Sequence, residues 1–277
     1  MNDMTATREI SGNTVGFARV LQGAISFKDS GIENVNSTYR GEILKSDGST
    51  TFAYIKDLSS RELANEVMAS LLGRALGLQI PDVYFALASD DVIKAELAPK
   101  LGEERILFAS VDATVPSISS FLNGKFSDTA LRRIAEALFQ NGCLASFYEF
   151  DTWSANIDRH PGNFLLSSDG GFWLIDHGYC FTGPLWVGHE LDPDNPYLNR
   201  LREWVTPFLT KDELSDTVSR LGSLAQHISS VDLEQIGRSN KIIDLIGNED
   251  FDMLVKFLKG RVPNIQRFAA SALGRLT

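Results

Sequence analysis

The chain has 277 residues, 43% of them hydrophobic and 22% charged, an ordinary globular composition with length enough for one large domain or two lobes. Its 26 basic residues face 36 acidic ones, a formal net charge of -10, which disfavours a polyanion and argues against direct nucleic-acid binding. No apolar run approaches the roughly 18 residues that span a bilayer. The first twelve residues lack the charged-then-apolar order of a secretory signal. Two cysteines, Cys143 and Cys180, make no disulfide framework, and His160, His177, His189 and His227 have no zinc spacing. The expectation is a cytoplasmic protein with no membrane partner.

Strand signals dominate the first third. Residues 14–26, 38–44 and 50–58 are rich in aromatic and β-branched side chains, and Lys45-Ser46-Asp47-Gly48 is a hairpin turn signal between the last two. Ser59 and Glu62 then form a capping box, and Leu63, Val67, Leu71 and Leu78 recur at helical spacing until Gly77 and Pro81 punctuate the helix end. Residues 83–88, 92–97 and 106–111 read as three more short strands. A stretch rich in Ser, Thr, Pro and Gly over 111–126 suits a hinge. Ser127 or Asp128 caps a long helix with Leu131, Ile134, Ala135, Leu138 and Phe139 on one face. Beyond residue 187 the period is mostly helical, including 211–229 and 250–258. The fold class is therefore α+β and two-lobed, with a strand-rich first part holding one helix and a mainly helical second part.

The chemistry-bearing segment is Asn156-Ile157-Asp158-Arg159-His160-Pro161-Gly162-Asn163. Phe164-Leu165-Leu166 follows, then a turn at Ser168-Asp169-Gly170-Gly171, the strand Phe172-Trp173-Leu174-Ile175, and Asp176-His177-Gly178. A hairpin brings its two ends together, so Asn163 and Asp176 lie side by side, and two oxygen ligands there suit Mg²⁺ with substrate phosphates. Asp158 is placed to receive or orient the proton of an attacking hydroxyl. An Asp, an Asn five residues on, and an Asp-x-Gly after a short hairpin is the layout of protein-kinase catalytic and metal loops. Each of these residues taken alone is an ordinary turn former.

The order Asp158-Arg159-His160-x-x-Asn163 is similar to the phosphoinositide 3- and 4-kinase group and its bacterial relatives. With Asp151-x-Trp153 before it and Ile175-Asp176-His177-Gly178 after it, the string most resembles the HipA-like kinases. The resemblance runs over about residues 38–181. It implies a protein-kinase-like fold with an ATP-holding N-lobe, residues 1–112, a hinge near 110–114, and a C-lobe, residues 113–277, carrying the catalytic and metal loops. Phe52-Ala53-Tyr54-Ile55-Lys56 resembles the strand whose lysine neutralises nucleotide phosphates, and Glu66 fits the carboxylate that holds such a lysine, with Glu62 one turn earlier as competitor. Asn36, Ser37 and Thr38 stand where these kinases place a short polar phosphate loop; an ordinary Asn/Ser turn is the alternative. His160 falls near the transferred phosphoryl group, and Asp151 and Trp153 buttress the loop.

The implied cofactors are ATP and Mg²⁺, with Asn163 and Asp176 as metal ligands and Asp158 and His160 as catalytic residues. The implied partner is a protein with a Ser or Thr acceptor, together with an antitoxin-like regulator of toxin–antitoxin type. Lys56 arrives too early for the extra N-terminal subdomain of full-length HipA toxins, so the expected match is the short single-module kinase. A phosphoinositide-type lipid kinase and a nucleotide-binding regulator without transfer activity are the competing classes. No basic amphipathic helix supports the first, and the presence of Lys56, Asp158, Asn163 and Asp176 together opposes the second. The segment after Gly178, with Glu190, Asp192 and Asp194 and no Lys or Arg, reads as a mobile, substrate-facing loop that steers a basic partner.

Overall fold

The computed structural model describes residues 14–27, 37–118, 122 and 126–274. Strands β1 (Gly16–Val20), β2 (Ile25–Ser26), β3 (Thr38–Lys45), β4 (Thr50–Lys56), β5 (Val83–Ser89), β6 (Lys100–Leu101) and β7 (Glu104–Val111) share one sheet. The β3–β4 hairpin turns where expected: Gly48 takes φ 80°, and the Asp47 carboxylate accepts the Ser49 N–H at 2.9 Å. β1 pairs with β5 in parallel and with β3 antiparallel, so the order β1-β5-β7-β4-β3 closes on itself. A ring this small has little interior room, and alanines fill it. Ala18, Ala53, Ala86, Ala88 and Ala109 pack there with Val20, Ile43, Ile55 and Leu107.

Residues 92–97, expected as a strand, are not one. The buried Asp57 carboxylate, at the end of β4, gathers the N–H groups of Glu96 (2.7 Å), Leu97 (3.1 Å) and Ala98 (2.8 Å). Three donors aimed at one side chain curl the backbone away from a ladder, while Ile93, Ala95 and Ala98 still reach the sheet core.

Helix α1 (Ser60–Ala75) begins with the expected Ser59–Glu62 capping box. Every residue from Glu62 to Gly73 is buried, because the helix lies between the sheet and the helical half. Its hydrophobic cluster continues through α2 (Asp128–Asn141) and α3 (Leu144–Trp153) to the C-terminal helices. Gly73 permits this packing: a Cβ there would lie 2.3 Å from Ile80 Cδ1 and 3.2 Å from the Phe150 ring. Ser127 caps α2, which buries Ile134, Ala135 and Leu138 and stops at Gly142, φ 79°. Beyond come hairpin strands β8 (Phe164–Leu166) and β9 (Phe172–Leu174), then α4 (Leu201–Trp204), α5 (Lys211–Ser219), α6 (Ser223–Ile228), α7 (Leu233–Ser239), α8 (Ile242–Ile246), α9 (Asn248–Arg261) and α10 (Ile265–Ala272). The helical stretch expected over 211–229 is split at Gly222, φ 104°. The expected hinge over 111–126 falls partly outside the described residues. Its described part is tied to both halves, with Asp112 accepting from Arg40 at 2.8 Å and Ser117 bridging Leu165. No described helix is long and apolar enough to cross a membrane.

Candidate active site

The site is assembled around one buried cation. Arg159 is fully buried, and its guanidinium donates to Asp151 Oδ2 at 3.0 Å, to the Ile175 carbonyl at 2.8 Å and toward His177 Nδ1 at 3.2 Å. Asp151 stands near the end of α3, so this fork joins that helix to the catalytic-type loop and to the strand before Asp176. Asn156 completes the fork, donating to Asp151 Oδ1 at 3.1 Å. Burial, with the Arg159 charge adding to it, holds His177 well below the usual histidine range. The ring is therefore neutral and packs edge-on against Phe150.

The hairpin ends meet as the spacing requires. Phe164 pairs with Leu174, and the Ile175 N–H donates to the Asn163 carbonyl at 3.1 Å. Asn163 is buried and its Nδ2 donates to the Asp158 carbonyl at 2.8 Å, which leaves Oδ1 as the atom available for a ligand. Asp176 follows Ile175 in the left-handed region, φ 60°, which Asp tolerates better than most side chains.

Lys56 links the two halves. Its Nζ lies 2.6 Å from Glu66 Oε1 and 3.0 Å from Asp176 Oδ1. Burial opposes the lysine's charge, but the two carboxylates hold it above the usual lysine range. Desolvation opposes ionisation of Asp176 as well, yet the Lys56 charge and hydrogen bond bring its carboxyl down to about 2. Glu66 also accepts the His177 backbone N–H at 2.8 Å through Oε2, so one carboxylate ties lysine, helix and Asp-His-Gly turn together. Glu62 is spent on the helix cap, its Oε2 accepting the Ser59 N–H at 3.4 Å.

Asp158 is half-buried and its Oδ1 contacts Arg200 Nη1, while His160 Nε2 stands 4.0 Å from Oδ2. His160 Nδ1 accepts the Gly162 N–H at 3.1 Å, so in the neutral ring the proton sits on Nε2. Burial lowers the His160 pKa, with the Asp158 charge opposing. Thr38 stands opposite Lys56 in the β3–β4 ladder, and the Ser37 carbonyl accepts the Asp57 N–H at 3.0 Å. Asn36 lies outside the described residues.

Among the described residues no group of three or more His, Cys, Asp or Glu could hold a metal. A cation at the hairpin would rest on Asn163 Oδ1 and the Asp176 carboxylate, both hard oxygens, plus oxygens of a bound phosphate. Asp176 being ionised, and 46% exposed in its side chain, fits that use.

Two contributors carried no sequence signal. Asn65 Nδ2 lies within 2.8–3.1 Å of the Gly178, Cys180 and Gly183 carbonyls, and its Oδ1 accepts the Trp186 indole N–H at 2.9 Å. Asn65 stands beside Glu66 on a helix that buries Glu62 and Ser70 as well, so nothing local singled it out. Arg200 reaches Asp158 across 42 positions of sequence, where no spacing rule applies. The segment expected to be mobile is fastened: the Gly188 N–H donates to Asp250 at 2.8 Å, Asn264 donates to Asp194 at 2.9 Å, and the buried Arg261 donates to the Asn195 carbonyl at 2.8 Å. Glu190, Asp192 and Asp194 nevertheless stay exposed.

No family model and no curated protein matches the chain. Among solved structures it is similar to the crystal structure of a Helicobacter pylori proinflammatory kinase, CtkA, at 16% identity and a TM-score of 0.45, over 84% of this chain and 94% of that one.

Proposed function

We propose that the chain is an ATP- and Mg²⁺-dependent phosphotransferase of two-lobed, protein-kinase-like architecture. On this reading residues 1–112 hold the nucleotide and residues 113–277 carry the catalytic and metal loops. The acceptor is a Ser or Thr hydroxyl of a protein, as in HipA-like kinases, with an antitoxin-like regulator as a further partner and the cytoplasm as the location. The observation that carries the reading is Lys56, held by Glu66 at 2.6 Å and Asp176 at 3.0 Å beside a hairpin that presents Asp158 and Asn163.

In this reading Glu66 keeps Lys56 charged and aimed at nucleotide phosphates. Asn163 and Asp176 hold the cation, which when bound screens the phosphate charge. Asp158 orients the acceptor hydroxyl and receives its proton. His160, neutral with its proton on Nε2, offers a donor beside Asp158. Ser37, Thr38 and Asn36 would border the phosphates.

The test is incubation of the purified chain with Mg·ATP, followed by intact mass and ADP release. Gain of phosphate or release of ADP supports transfer. Asp158→Asn should retain nucleotide binding and lose roughly 10²–10⁴ in turnover. Asp176→Ala should lose Mg·ATP affinity in calorimetry; unchanged affinity together with unchanged turnover would refute the metal assignment.

A further inference from the structure

Arg200 enters the site from outside every motif, yet its setting is unusually firm for a half-exposed arginine. The residues around it are fastened to the site's own supports. Asn199 is buried, and its Nδ2 donates to the Tyr148 carbonyl and to Thr152 Oγ1, both at 3.1 Å, on α3. Asn199 Oδ1 accepts the Leu201 N–H at 3.2 Å, which shapes the turn into α4. Trp204, at the end of that short helix, donates its indole N–H to the Arg159 carbonyl at 2.8 Å and packs edge-on against Phe164, ring centroids 5.6 Å apart. Arg200 is thus delivered by a turn bonded to α3 on one side and to the Asp158–Asn163 loop on the other.

The ion pair itself adds little stability: the Arg200 and Asp158 side chains are 35% and 32% exposed, and pairs at that exposure are largely screened by solvent. Geometry supplies another account. Arg200 Nη1 engages Asp158 Oδ1, and Glu203 Oε2, 3.3 Å from Arg200 Nε, steadies the guanidinium from its far edge. Asp158 Oδ2 is left with His160 Nε2 at 4.0 Å, beyond hydrogen-bond reach. The two oxygens of one carboxylate are thereby made different.

We propose that Arg200 is a positioning residue for the acceptor side of the reaction, clamping Asp158 by Oδ1 so that Oδ2 faces the acceptor hydroxyl; this rests on the phosphotransferase reading above. In the step it serves, the acceptor oxygen forms a bond to the γ-phosphorus, and the bond from that phosphorus to the bridging oxygen breaks with its electron pair leaving on ADP. The hydroxyl proton passes to Asp158 Oδ2. A carboxylate free to rotate would present either oxygen at varying angles, and misplacement of a reacting group by about 1 Å costs on the order of 10² in rate.

The experiment uses the full chain with Mg·ATP and reads ADP release and phosphate incorporated into the chain. A wild type that yields neither would refute the phosphotransferase reading itself, and this inference with it. With an active wild type, Arg200→Gln is expected to lower kcat roughly 10²-fold with KM for ATP unchanged and the thermal midpoint preserved. Arg200→Lys, which keeps the charge without the planar fork, should recover part of the rate, and it carries the test if Arg200→Gln does not fold. The decisive comparison is the Asp158→Asn background, where Arg200→Gln should cause no further loss, because Arg200 acts through Asp158. A readout without nucleotide is the side-chain NMR signal of the Arg200 guanidinium, expected to be immobilised in wild type and more mobile in Asp158→Ala, which removes the Oδ1 acceptor. Equal losses from Arg200→Gln in both backgrounds, or an unchanged kcat in an active wild-type background, would overturn the clamp and leave the phosphotransferase reading standing.

Discussion

Replacing Lys56 by methionine removes the cation shared by Glu66 and Asp176 while keeping most of the side chain's reach. Glu66 is 1% exposed and loses its 2.6 Å partner, but Oε2 retains the His177 N–H at 2.8 Å. Breaking a buried pair by deleting one partner costs about 3–5 kcal/mol, since the survivor stays buried without compensation. The retained N–H and the option of protonating Glu66 place this case at the low end, about 3 kcal/mol at pH 7. At about 2–4 °C per kcal/mol for a chain this large, Tm should fall by roughly 6–12 °C.

The pH dependence separates this account from generic damage. Burial already pushes the Glu66 carboxyl upward against the opposing Lys56 charge, and removing Lys56 pushes it further. A carboxyl raised in the folded state binds more protons folded than unfolded, so the variant gains stability as pH falls from 7 toward the ordinary glutamate range. Wild type shares a smaller upward shift of Glu66, and only below about pH 4 does it behave in the opposite sense through Asp176, whose carboxyl is held at about 2. The stability Asp176 contributes is present above its unfolded value of about 4 and is lost as pH falls from there through the folded value. The deficit of Lys56→Met should therefore narrow between pH 7 and pH 5. Lys56→Met/Glu66→Gln should recover more than half of it, because no buried carboxylate is then left unpaired. Thermal unfolding by circular dichroism at both pH values measures all three proteins. An unchanged Tm for Lys56→Met at pH 7, or a deficit that widens at pH 5, would refute the buried-pair argument.

Asn65→Ala deprives three carbonyls of the Gly178–Gly183 turn of one donor and the Trp186 indole of its acceptor. A cost of about 1–3 kcal/mol is expected, with faster amide exchange over residues 177–183 as the local readout. Gly237→Ala would set a Cβ 2.0 Å from Phe251 Cε2; overpacking of about 1–3 kcal/mol outweighs the helix-propensity gain of about 1 kcal/mol, so Tm should drop, and a rise would show that Phe251 is free to move.

The sequence carries the site's local parts well and its distant parts badly, for a physical reason. The β3–β4 turn, the Ser59 cap and the hairpin that brings Asn163 beside Ile175 are set by residues within a few positions of one another, so turn chemistry and period reveal them. Lys56 and Glu66 were reachable only through the resemblance of their segments to kinase motifs, which left Glu62 as a competitor. Residues 92–97 misled because buried Ile93 and Ala95 imitate a strand face, whereas Asp57, far back in sequence, decides the backbone path. The closure of the sheet through β1 depends on a parallel pairing, Gly16 with Tyr84 through Arg19 with Leu87, that no local pattern announces. Arg200 and Asn65 belong to the same class: single polar residues whose partners are fixed by tertiary packing.

The buried fork around Arg159 makes a sharper claim about His177, the middle residue of the Asp-His-Gly turn. Arginine stays protonated in proteins, so every atom at its guanidinium must accept. His177 Nδ1, 3.2 Å from Arg159 Nη2, is thus the lone-pair nitrogen and the ring proton lies on Nε2. That N–H is buried and makes no hydrogen bond of normal geometry among the described residues, the ring having only a weak interaction with the Leu174 backbone. His177→Phe would remove an acceptor from a charged donor, costing about 1.5–3 kcal/mol, and would also remove the unsatisfied N–H, relieving about 1–3 kcal/mol. Arg159 keeps Asp151 Oδ1 at 3.1 Å from the same Nη2, so the guanidinium is not stranded. The two effects nearly cancel, and a net change within about 1 kcal/mol follows. Arg159→Met is the contrasting case, since among the described residues it leaves the buried Asp151 carboxylate with Asn156 alone and should cost about 3–5 kcal/mol. Denaturant unfolding of the two variants against wild type measures the difference. If His177→Phe proves as damaging as Arg159→Met, the assignment of the His177 proton to Nε2 is wrong, and the ring must be satisfying a partner on that side.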